Sequence, residues 1–312
     1  MRTVPLGSAG LVVSEVGLGC NNFGGRIDGA ATQRVVDAAI DCGVTLFDTA
    51  DGYGNLGGSE TLLGELLQGR RDRVVLATKF GHQSYDLGLG PDAKGSRAYI
   101  RRAVEGSLRR LRTDWIDLYQ LHTPDPHTPI AETLAALDEL VREGTVRHIG
   151  CSNLTGRQLA EAAREAADGG LTPFGCAQNE YSLMERAAEQ DVLPVCERLG
   201  IGFLPYFPLA MGLLTGKVTR EHGIPGGTRL ARIGADYVTD ERLDRVELLR
   251  TWAGDHGRTL LEVAIGWLAA QPAVSSVIAG ATRPEQVVAN VAAAEWRPTA
   301  AELGEIDALT AS

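Results

Sequence analysis

Short apolar segments alternate with stretches in which apolar residues recur at helical spacing along most of this chain. A first apolar segment at 16–19 is followed by 31–42, where Val35, Ala39 and Ile40 lie on one face of a helix. Short continuous apolar runs are typical of buried strands, and recurrence every three or four residues indicates an amphipathic helix. The pattern therefore predicts a protein built from alternating strands and helices.

The alternation continues almost to the end of the chain and gives eight strand–helix units. Predicted strands cover 16–19, 46–48, 74–79, 116–122, 146–152, 176–178, 202–206 and 277–279. The helical patterns that follow them begin near 31, 59, 97, 130, 155, 191, 260 and 284. Eight such units in series are typical of an α/β fold of the (β/α)₈ or TIM barrel type, rather than of an open doubly wound sheet. We therefore predict one barrel domain over residues 1–312.

Two further elements are predicted outside the eight units. Apolar segments at 3–6 and 11–13 flank the turn sequence Gly7-Ser8-Ala9-Gly10, which indicates an N-terminal β-hairpin in front of the barrel. The pattern at 299–309 indicates an extra C-terminal helix. The stretch between 206 and 260 shows no clear pattern, and we expect it to be irregular.

Composition and charge narrow the classes of partner. The chain has a net charge of −10, whereas nucleic-acid binding relies on clustered Lys and Arg, so we expect no nucleic-acid partner. No apolar run approaches the roughly 18 residues that suggest a membrane helix, and no signal-peptide pattern opens the chain. The five cysteines are scattered and form no Cys-x-x-Cys pair, which indicates reduced thiols in a cytoplasmic protein.

Polar side chains stand at the ends of four predicted strands. Three of these ends carry Asp48 (with Tyr53 shortly after it), Lys79 and His122, and Ser152-Asn153 stands at the fourth. The carboxyl ends of parallel strands meet at one rim of a barrel, where barrel active sites lie, so we expect these side chains to gather there. A carboxylate, a phenol, an ammonium and an imidazole in one place suit proton transfer at a carbonyl group.

Each of these groups has a chemical part in such a reaction. A phenol with a pKa of about 10 is a poor acid at neutral pH, and a nearby Lys79 ammonium is expected to lower the pKa of Tyr53. We expect Asp48 to pair with Lys79 and hold it in place, and His122 to donate a hydrogen bond to the substrate oxygen. No side chain supplies a hydride, so carbonyl reduction implies a nicotinamide cofactor.

Sequence motifs along nearly the whole chain resemble those of the aldo-keto reductase family, in the branch of bacterial general reductases and potassium-channel β subunits. They include Phe47-Asp48-Thr49-Ala50-Asp51-Gly52-Tyr53-Gly54, Gly58-Ser59-Glu60, Thr78-Lys79, Leu121-His122, Gly150-Cys151-Ser152-Asn153, Gln178-Asn179, Gly212-Leu213-Leu214-Thr215-Gly216-Lys217 and Gly280-Ala281-Thr282-Arg283-Pro284-Glu285-Gln286. The resemblance implies an NAD(P)H-dependent oxidoreductase that reversibly reduces an aldehyde or ketone to an alcohol. It assigns the family's catalytic tetrad to Asp48, Tyr53, Lys79 and His122, with Tyr53 as the general acid.

The resemblance also implies a cofactor site in three parts. The nicotinamide end is implied for Ser152, Asn153, Gln178 and Tyr206. The cover over the pyrophosphate is implied for Leu209, Gly212, Leu214, Thr215 and Lys217. The adenosine end is implied for Gly280, Thr282, Arg283, Gln286 and Asn290. In this scheme the three amide and hydroxyl side chains of the first part hold the carboxamide, and Tyr206 stacks on the nicotinamide ring.

Two departures from the family pattern bear on the cofactor. Phe207 stands where a Ser is usual, and we expect it to alter how the loop seats on the cofactor. The Lys-Ser pair and the following Arg that hold a 2′-phosphate in other branches appear as Gly280-Ala281 and Gln286. Thr282 and Arg283 are left as phosphate contacts at a helix N-terminus, so NADP is expected ahead of NAD.

Two other functions stay open at this point. A regulatory or sensor subunit resembling the channel β subunits would bind NADP with little or no turnover. A barrel hydrolase or lyase would use Asp48 and His122 without a nicotinamide cofactor. Binding of a nicotinamide cofactor would distinguish the reductase and the sensor from the hydrolase or lyase, and turnover would distinguish the reductase from the sensor.

The substrate pocket is expected above the barrel mouth. Four loop residues are candidates to line it: Asn21, Asn22, Phe23 and Tyr85. The long loops at 81–96 and 210–236 are expected to complete it. Four other histidines are expected to be structural or at the surface: His82, His148, His222 and His256. His127 lies near His122 but does not directly end a strand, and no cluster has metal-ligand spacing. The sequence implies a small-molecule carbonyl substrate but fixes neither its identity, the working direction nor the oligomeric state.

Overall fold

The computed structural model describes residues 1–233 and 235–310, and within them eight parallel strands form one sheet. The strands are β1 Thr3–Pro5, β2 Val12–Ser14, β3 Val16–Gly19, β4 Leu46–Asp48, β5 Val75–Phe80, β6 Ile116–Leu121, β7 Val146–Ser152, β8 Cys176–Gln178, β9 Gly202–Phe203 and β10 Val277–Gly280. The helices are α1 Gly29–Asp41, α2 Tyr53–Leu66, α3 Arg97–Leu111, α4 Ile130–Arg142, α5 Gly156–Gly169, α6 Val192–Leu199, α7 Arg229–Ile233, α8 Asp240–Asp255, α9 Leu260–Ala269, α10 Pro284–Ala293 and α11 Ala300–Thr310. Within the described ranges, none of them is long and apolar enough to cross a membrane.

The sheet curls until its two edges meet. Strands β3 to β9 pair in chain order, and β10 pairs with β3 at the opposite edge. Phe203 in β9 donates a backbone hydrogen bond of 2.9 Å to Ala273 and accepts one of 2.9 Å from Ser275. Ile278 in β10 donates a further bond of 3.1 Å to Pro205. Because these bonds join the two edges, the predicted (β/α)₈ barrel is confirmed.

The hairpin closes the floor of the barrel. Strands β1 and β2 pair antiparallel, and Leu6 and Val13 pack against Leu46, Leu118 and Ile278 in one buried apolar cluster. The space between the amino ends of the barrel strands is therefore filled by apolar side chains and leaves no pore among the described residues. The predicted N-terminal hairpin and C-terminal helix are both present. With the floor filled, the interior of the barrel is open at the carboxyl ends of the strands.

Side-chain caps fix the loops that leave this open end. Thr155 accepts a hydrogen bond of 3.2 Å from the backbone N–H of Gln158, whose own side chain accepts one of 3.0 Å from Thr155 N. Thr259 and Glu262 form the same reciprocal box in front of α9. Each box satisfies backbone N–H groups that the first turn of a helix leaves free. The cap on α5 stands directly after Ser152-Asn153 at the end of β7.

The expectation of an irregular stretch between 206 and 260 is wrong for its second half. Helix α8 begins after Thr239, whose side chain accepts a hydrogen bond of 3.2 Å from Arg242 N. The helix is largely polar, and its few buried side chains are Val246, Leu249, Trp252 and Ala253. This stripe is too narrow to stand out from the polar residues around it, although it has helical spacing.

Two elements differ from their predicted bounds near the barrel rim. Strand β9 ends at Phe203 instead of continuing to Tyr206, because Pro205 has no N–H to donate to a neighbouring strand. Residues 54–57 have left-handed backbone angles, so the regular part of α2 begins close to the predicted start at Ser59. Residues 54–57 therefore form a turn that connects Tyr53, at the barrel rim, to the regular part of α2.

Candidate active site

The carboxyl ends of β4 and β5 bring Asp48 and Lys79 together inside the barrel. Lys79 Nζ donates hydrogen bonds of 2.6 Å to Asp48 Oδ2 and 2.9 Å to the backbone oxygen of Thr49. The Lys79 side chain is fully buried and that of Asp48 is 4% exposed. Burial by itself lowers the pKa of Lys79, but the Asp48 carboxylate, together with Tyr53 and Cys20, more than offsets this, and the pKa is raised. Lys79 is therefore an ammonium, paired as expected.

The phenol of Tyr53 lies next to this ion pair, with Lys79 Nζ 5.2 Å from the centre of its ring. Burial raises the pKa of Tyr53 above its ordinary value, and Lys79 opposes that effect by favouring the phenolate. The net direction is opposite to the expected lowering. Loss of water around the phenol outweighs one ammonium whose charge Asp48 already balances. Tyr53 therefore keeps its proton at neutral pH.

His122 follows β6 directly, and its ring centre lies 5.6 Å from that of Tyr53, with the planes at 81°. Burial, followed by the nearby Lys79 and His82, holds the pKa of His122 well below its usual value. The imidazole is therefore neutral and carries one N–H. Its Nδ1 is buried and has no hydrogen-bond partner among the described residues. Asn153 Nδ2 donates a bond of 2.9 Å to the His122 backbone oxygen and so fixes its position.

His82 belongs to this group, which corrects the expectation that it is a structural or surface residue. Its ring centre lies 4.6 Å from that of His122 and 4.3 Å from that of Tyr85, on which it stacks. Lys94 orders this loop by donating to the backbone oxygens of His82 at 2.6 Å and Tyr85 at 2.5 Å. Gly52 leaves space for the Tyr85 ring, because a Cβ at this position would lie 2.0 Å from it.

The second carboxylate oxygen of Asp48 is held by two buried glutamines. Gln120 Nε2 and Gln178 Nε2 each donate to Asp48 Oδ1 at 3.1 Å, and Gln178 Nε2 also lies 3.3 Å from Gln120 Oε1. Gln178 is a predicted site residue. Gln120 was not predicted as a site residue. The sequence did offer a signal for it, because a glutamine inside the largely apolar strand β6 is a buried polar group that needs hydrogen-bond partners.

A cavity of about 790 Å³ opens at this end of the barrel. Its wall includes residues from all three parts of the predicted cofactor site: Ser152, Asn153, Gln178, Tyr206, Leu209, Gly212, Thr215, Lys217, Gly280, Thr282, Arg283, Gln286 and Asn290. Leu214 is the exception. Its side chain is fully buried in the hydrophobic core and does not line the cavity, so its expected contact is corrected.

A chain of hydrogen bonds joins the residues predicted for the nicotinamide end. Tyr206 donates through its hydroxyl to Asn153 Oδ1 at 2.8 Å, and Asn153 Nδ2 donates to Ser152 Oγ at 3.0 Å. Ser152 Oγ in turn donates to the backbone oxygen of Gln178 at 2.7 Å. The side chains of Tyr206, Asn153 and Ser152, joined to the backbone of Gln178, therefore form one connected patch of the wall, which holds the Tyr206 ring in a defined position.

At the far end of the cavity, Gln286 caps its own helix. Its Oε1 accepts hydrogen bonds from Thr282 N at 2.8 Å, Thr282 Oγ1 at 3.0 Å and Arg283 N at 3.2 Å. The backbone donors before α10 are therefore already engaged. Positive charge at this end comes from the exposed Arg283 side chain, which forms no ion pair with the described residues.

Arg229 is a second polar residue that the sequence interpretation missed. It donates to Asn21 Oδ1 at 2.9 Å and Asn22 Oδ1 at 3.3 Å, and its guanidinium carbon lies 5.0 Å from the centre of the Phe207 ring. All four residues line the cavity. Phe23 does not, contrary to expectation, because its side chain is fully buried in the core. Arg229 begins the short helix α7, within a long connection where the sequence shows no clear spacing to guide the position of a side chain.

Comparison with known proteins places this chain in a family. The sequence model of the aldo/keto reductase family matches residues 15–311. The uncharacterised oxidoreductase YrpG of Bacillus subtilis is 40% identical over 303 residues, which cover 95% of this chain and 91% of that protein. The NADH-specific methylglyoxal reductase of Escherichia coli is 36% identical, with 94% and 93% covered. A probable voltage-gated potassium channel subunit beta of rice is 35% identical, with 96% and 92% covered.

Proposed function

We propose that this chain, an oxidoreductase that belongs to the aldo/keto reductase family, reduces an aldehyde or ketone to an alcohol with a nicotinamide cofactor. One observation carries the proposal. Tyr53, Lys79 and His122 meet at one end of a cavity whose wall extends to Arg283. That arrangement supplies a proton donor, a group that stabilises its anion and a neutral hydrogen-bond donor beside a cleft of ligand size. Residues 1–312 are proposed to act as one domain.

The wall residues fit a nicotinamide dinucleotide. When bound, the cofactor supplies the hydride that no side chain can provide. The side-chain oxygens of Asn153, Gln178 and Ser152 offer acceptors for the NH₂ group of a carboxamide, because the donor hydrogens of these residues are already engaged. Tyr206 offers a flat ring beside them. Lys217 on the same wall adds a positive charge suited to a pyrophosphate.

Tyr53 is the proposed proton donor. Because burial keeps its phenol protonated, it has a proton to give to a carbonyl oxygen that gains negative charge. Lys79 stabilises the phenolate that remains, and Asp48 holds Lys79 in place. The neutral His122 donates its one N–H to the same oxygen and orients the carbonyl group. In the reverse direction the Tyr53 phenolate accepts the proton of an alcohol.

NADP is the proposed cofactor, chiefly through the Arg283 guanidinium, because the Thr282 hydroxyl must first release Gln286 Oε1 before it can donate to a 2′-phosphate. Arg283 is exposed at the cavity wall with its charge uncompensated by the described residues, which favours a 2′-phosphate there. The Escherichia coli relative is NADH-specific, so NADH is the alternative that an experiment must separate.

The proposed substrate is a small carbonyl compound that enters beside His82, Tyr85 and Asn21. The name of the Escherichia coli relative, a methylglyoxal reductase, supports reduction of such compounds. The five cysteines are all free thiols, which supports the reducing cytoplasm as the site of action. The acidic charge of −10 supports small-molecule rather than nucleic-acid partners.

Titration of the protein with NADPH and with NADH, followed by turnover with a panel of aldehydes and ketones, tests this proposal. We expect saturable binding, tighter for NADPH, and consumption of the reduced cofactor only when a carbonyl compound is present. Binding without turnover on any carbonyl compound would favour the sensor function. Binding of neither dinucleotide would overturn the proposed function.

A further inference from the structure

The buried amide of Gln120 is shared between the acidic member of the tetrad and the proposed nicotinamide site. We propose that Gln120 is a positioning residue that sets the orientation of the Gln178 side chain, so that Gln178 presents its carbonyl oxygen to the carboxamide N–H of the cofactor. This inference rests on the proposed function. Gln120 itself is fully buried and does not line the cavity.

The orientation of both amides follows from the charge of Asp48. A carboxylate paired with an ammonium is acceptor-only, so each glutamine must turn its NH₂ group towards Asp48 Oδ1, and both do so at 3.1 Å. With its NH₂ so placed, Gln120 has its Oε1 at 3.3 Å from Gln178 Nε2. The Cys176 thiol donates to the same Oε1 at 3.7 Å. Every polar atom of Gln120 is thus engaged.

The consequence for Gln178 is a fixed amide plane. Its Nε2 faces Asp48 and Gln120, and its Oε1 accepts no hydrogen bond from the described residues, although Gln178 lines the cavity. Without Gln120, one of the two bonds that hold the NH₂ group is lost, and the bond to Asp48 Oδ1 alone must then hold the amide against rotation. A turned amide would present a donor where the carboxamide NH₂ needs an acceptor.

The absence of a side chain at Gly150 leaves space for Gln120 and Cys176 to lie together. Gly150 on the neighbouring strand β7 lies beside the pair: a Cβ there would be 2.4 Å from Cys176 Sγ and 3.2 Å from Gln120 Cγ. Gln120 is also separate from the proton donor, because its bonds go to Asp48 Oδ1 while Lys79 uses Oδ2. Its loss should therefore act first on cofactor recognition.

Binding of NADP⁺ and of its 3-acetylpyridine analogue, compared in the wild type and in Gln120→Met, tests this inference. The analogue replaces the carboxamide NH₂ by a methyl group, so it cannot donate to Gln178. Methionine fills a similar volume without hydrogen bonds. We expect the wild type to prefer NADP⁺ by about threefold to tenfold, the worth of one hydrogen bond, and Gln120→Met to lose most of that preference. The readout is the ratio of two dissociation constants, measured by quenching of tryptophan fluorescence.

Tyr119→Phe is the matched control, because Tyr119 is the neighbouring buried residue of β6 and its hydroxyl has no hydrogen-bond partner in the described part of the chain. That variant should keep the wild-type ratio. Equal weakening of both ligands by Gln120→Met would show a merely structural role and overturn the inference, as would a wild type that binds both ligands equally. Failure of the wild type to bind either ligand would instead overturn the proposed function. If Gln120→Met does not fold, Gln178→Met must abolish the preference, and its retention there overturns the inference as well.

Discussion

Lys79 Nζ lies 2.6 Å from Asp48 Oδ2, and the two side chains are 0% and 4% exposed. Because the two opposite charges are in contact and shielded from water, each one stabilises the charged form of the other. Removing one partner of a buried pair leaves an uncompensated charge, which costs more than the pair contributes when intact. The pair stands at the ends of adjacent strands, so the geometry that supports the proposed chemistry is also part of the barrel's stability.

Lys79→Met is expected to lower the free energy of unfolding by about 3–5 kcal/mol, because Asp48 loses its ammonium partner. Turnover should fall by about 100-fold or more, since no cation remains to stabilise the Tyr53 phenolate. Urea unfolding and steady-state kinetics measure the two effects. The double variant Asp48→Asn with Lys79→Met should recover part of the stability but none of the activity. Simple addition of the two single effects on stability would contradict a coupled pair.

Arg283→Ala is expected to weaken NADPH binding by about tenfold to 100-fold, the worth of a charge-assisted hydrogen bond. NADH lacks the 2′-phosphate, so its affinity should stay within about twofold. Titration of each dinucleotide measures both. Arg258→Ala, which removes an arginine that does not line the cavity, is the control. An equal loss for NADPH and NADH would refute the phosphate assignment, although the reductase proposal would stand.

Asp51 gives the fold a pH dependence of defined sign. Burial, with Glu60 adding and Arg110 and Lys94 opposing, raises the pKa of Asp51 to about 7. An unfolded aspartate titrates near about 4, so between about pH 4 and pH 7 the folded state holds a proton that the unfolded state has released. Stability therefore falls as pH rises through that window, by up to about 4 kcal/mol.

Asp51→Asn should flatten this part of the curve. Both carboxylate oxygens of Asp51 are buried without partners among the described residues, so the charged form is the costly one. The free energy of unfolding, measured in urea from acid to mildly alkaline pH, should fall less with rising pH in the variant than in the wild type. Identical slopes would show that Asp51 keeps an ordinary pKa in the folded protein.

His82→Phe is expected to raise KM for the carbonyl substrate severalfold while leaving the dissociation constant of the dinucleotide unchanged. Phenylalanine keeps the stacking on Tyr85 but removes the imidazole nitrogens from the cavity wall. Substrate saturation and cofactor titration measure the two constants. His222→Phe, a change at an exposed histidine outside the cavity, should alter neither. A matching change in cofactor affinity would place His82 in the cofactor site instead.

The strand ends explain why so much of the candidate site could be predicted. Asp48, Lys79 and His122 sit within one residue of the ends of parallel strands, and a barrel brings such ends together whatever the loops do. The wall residues at the end of β7 and β8 follow for the same reason. Leu214 and Phe23 do not, because a loop residue can face the cavity or the core, and only packing decides which.

His82, Arg229 and Gln120 needed three-dimensional information of different kinds. His82 reaches the wall through a loop held by Lys94, a contact between residues that no periodic pattern relates. Arg229 is placed by hydrogen bonds to Asn21, more than 200 positions away in the chain. Gln120 could have been suspected from its polarity within β6, but its partners on β4 and β8 could not have been chosen from the sequence.

Comparison of Tyr53→Phe with the wild type tests most directly whether Tyr53 is the proton donor. Both proteins are titrated with NADPH and then assayed with a carbonyl substrate. We expect the variant to bind NADPH within about twofold of the wild type and to lose at least about 100-fold in kcat, the lower range of a general acid's contribution. A variant that binds the cofactor and turns over at the wild-type rate would contradict the account.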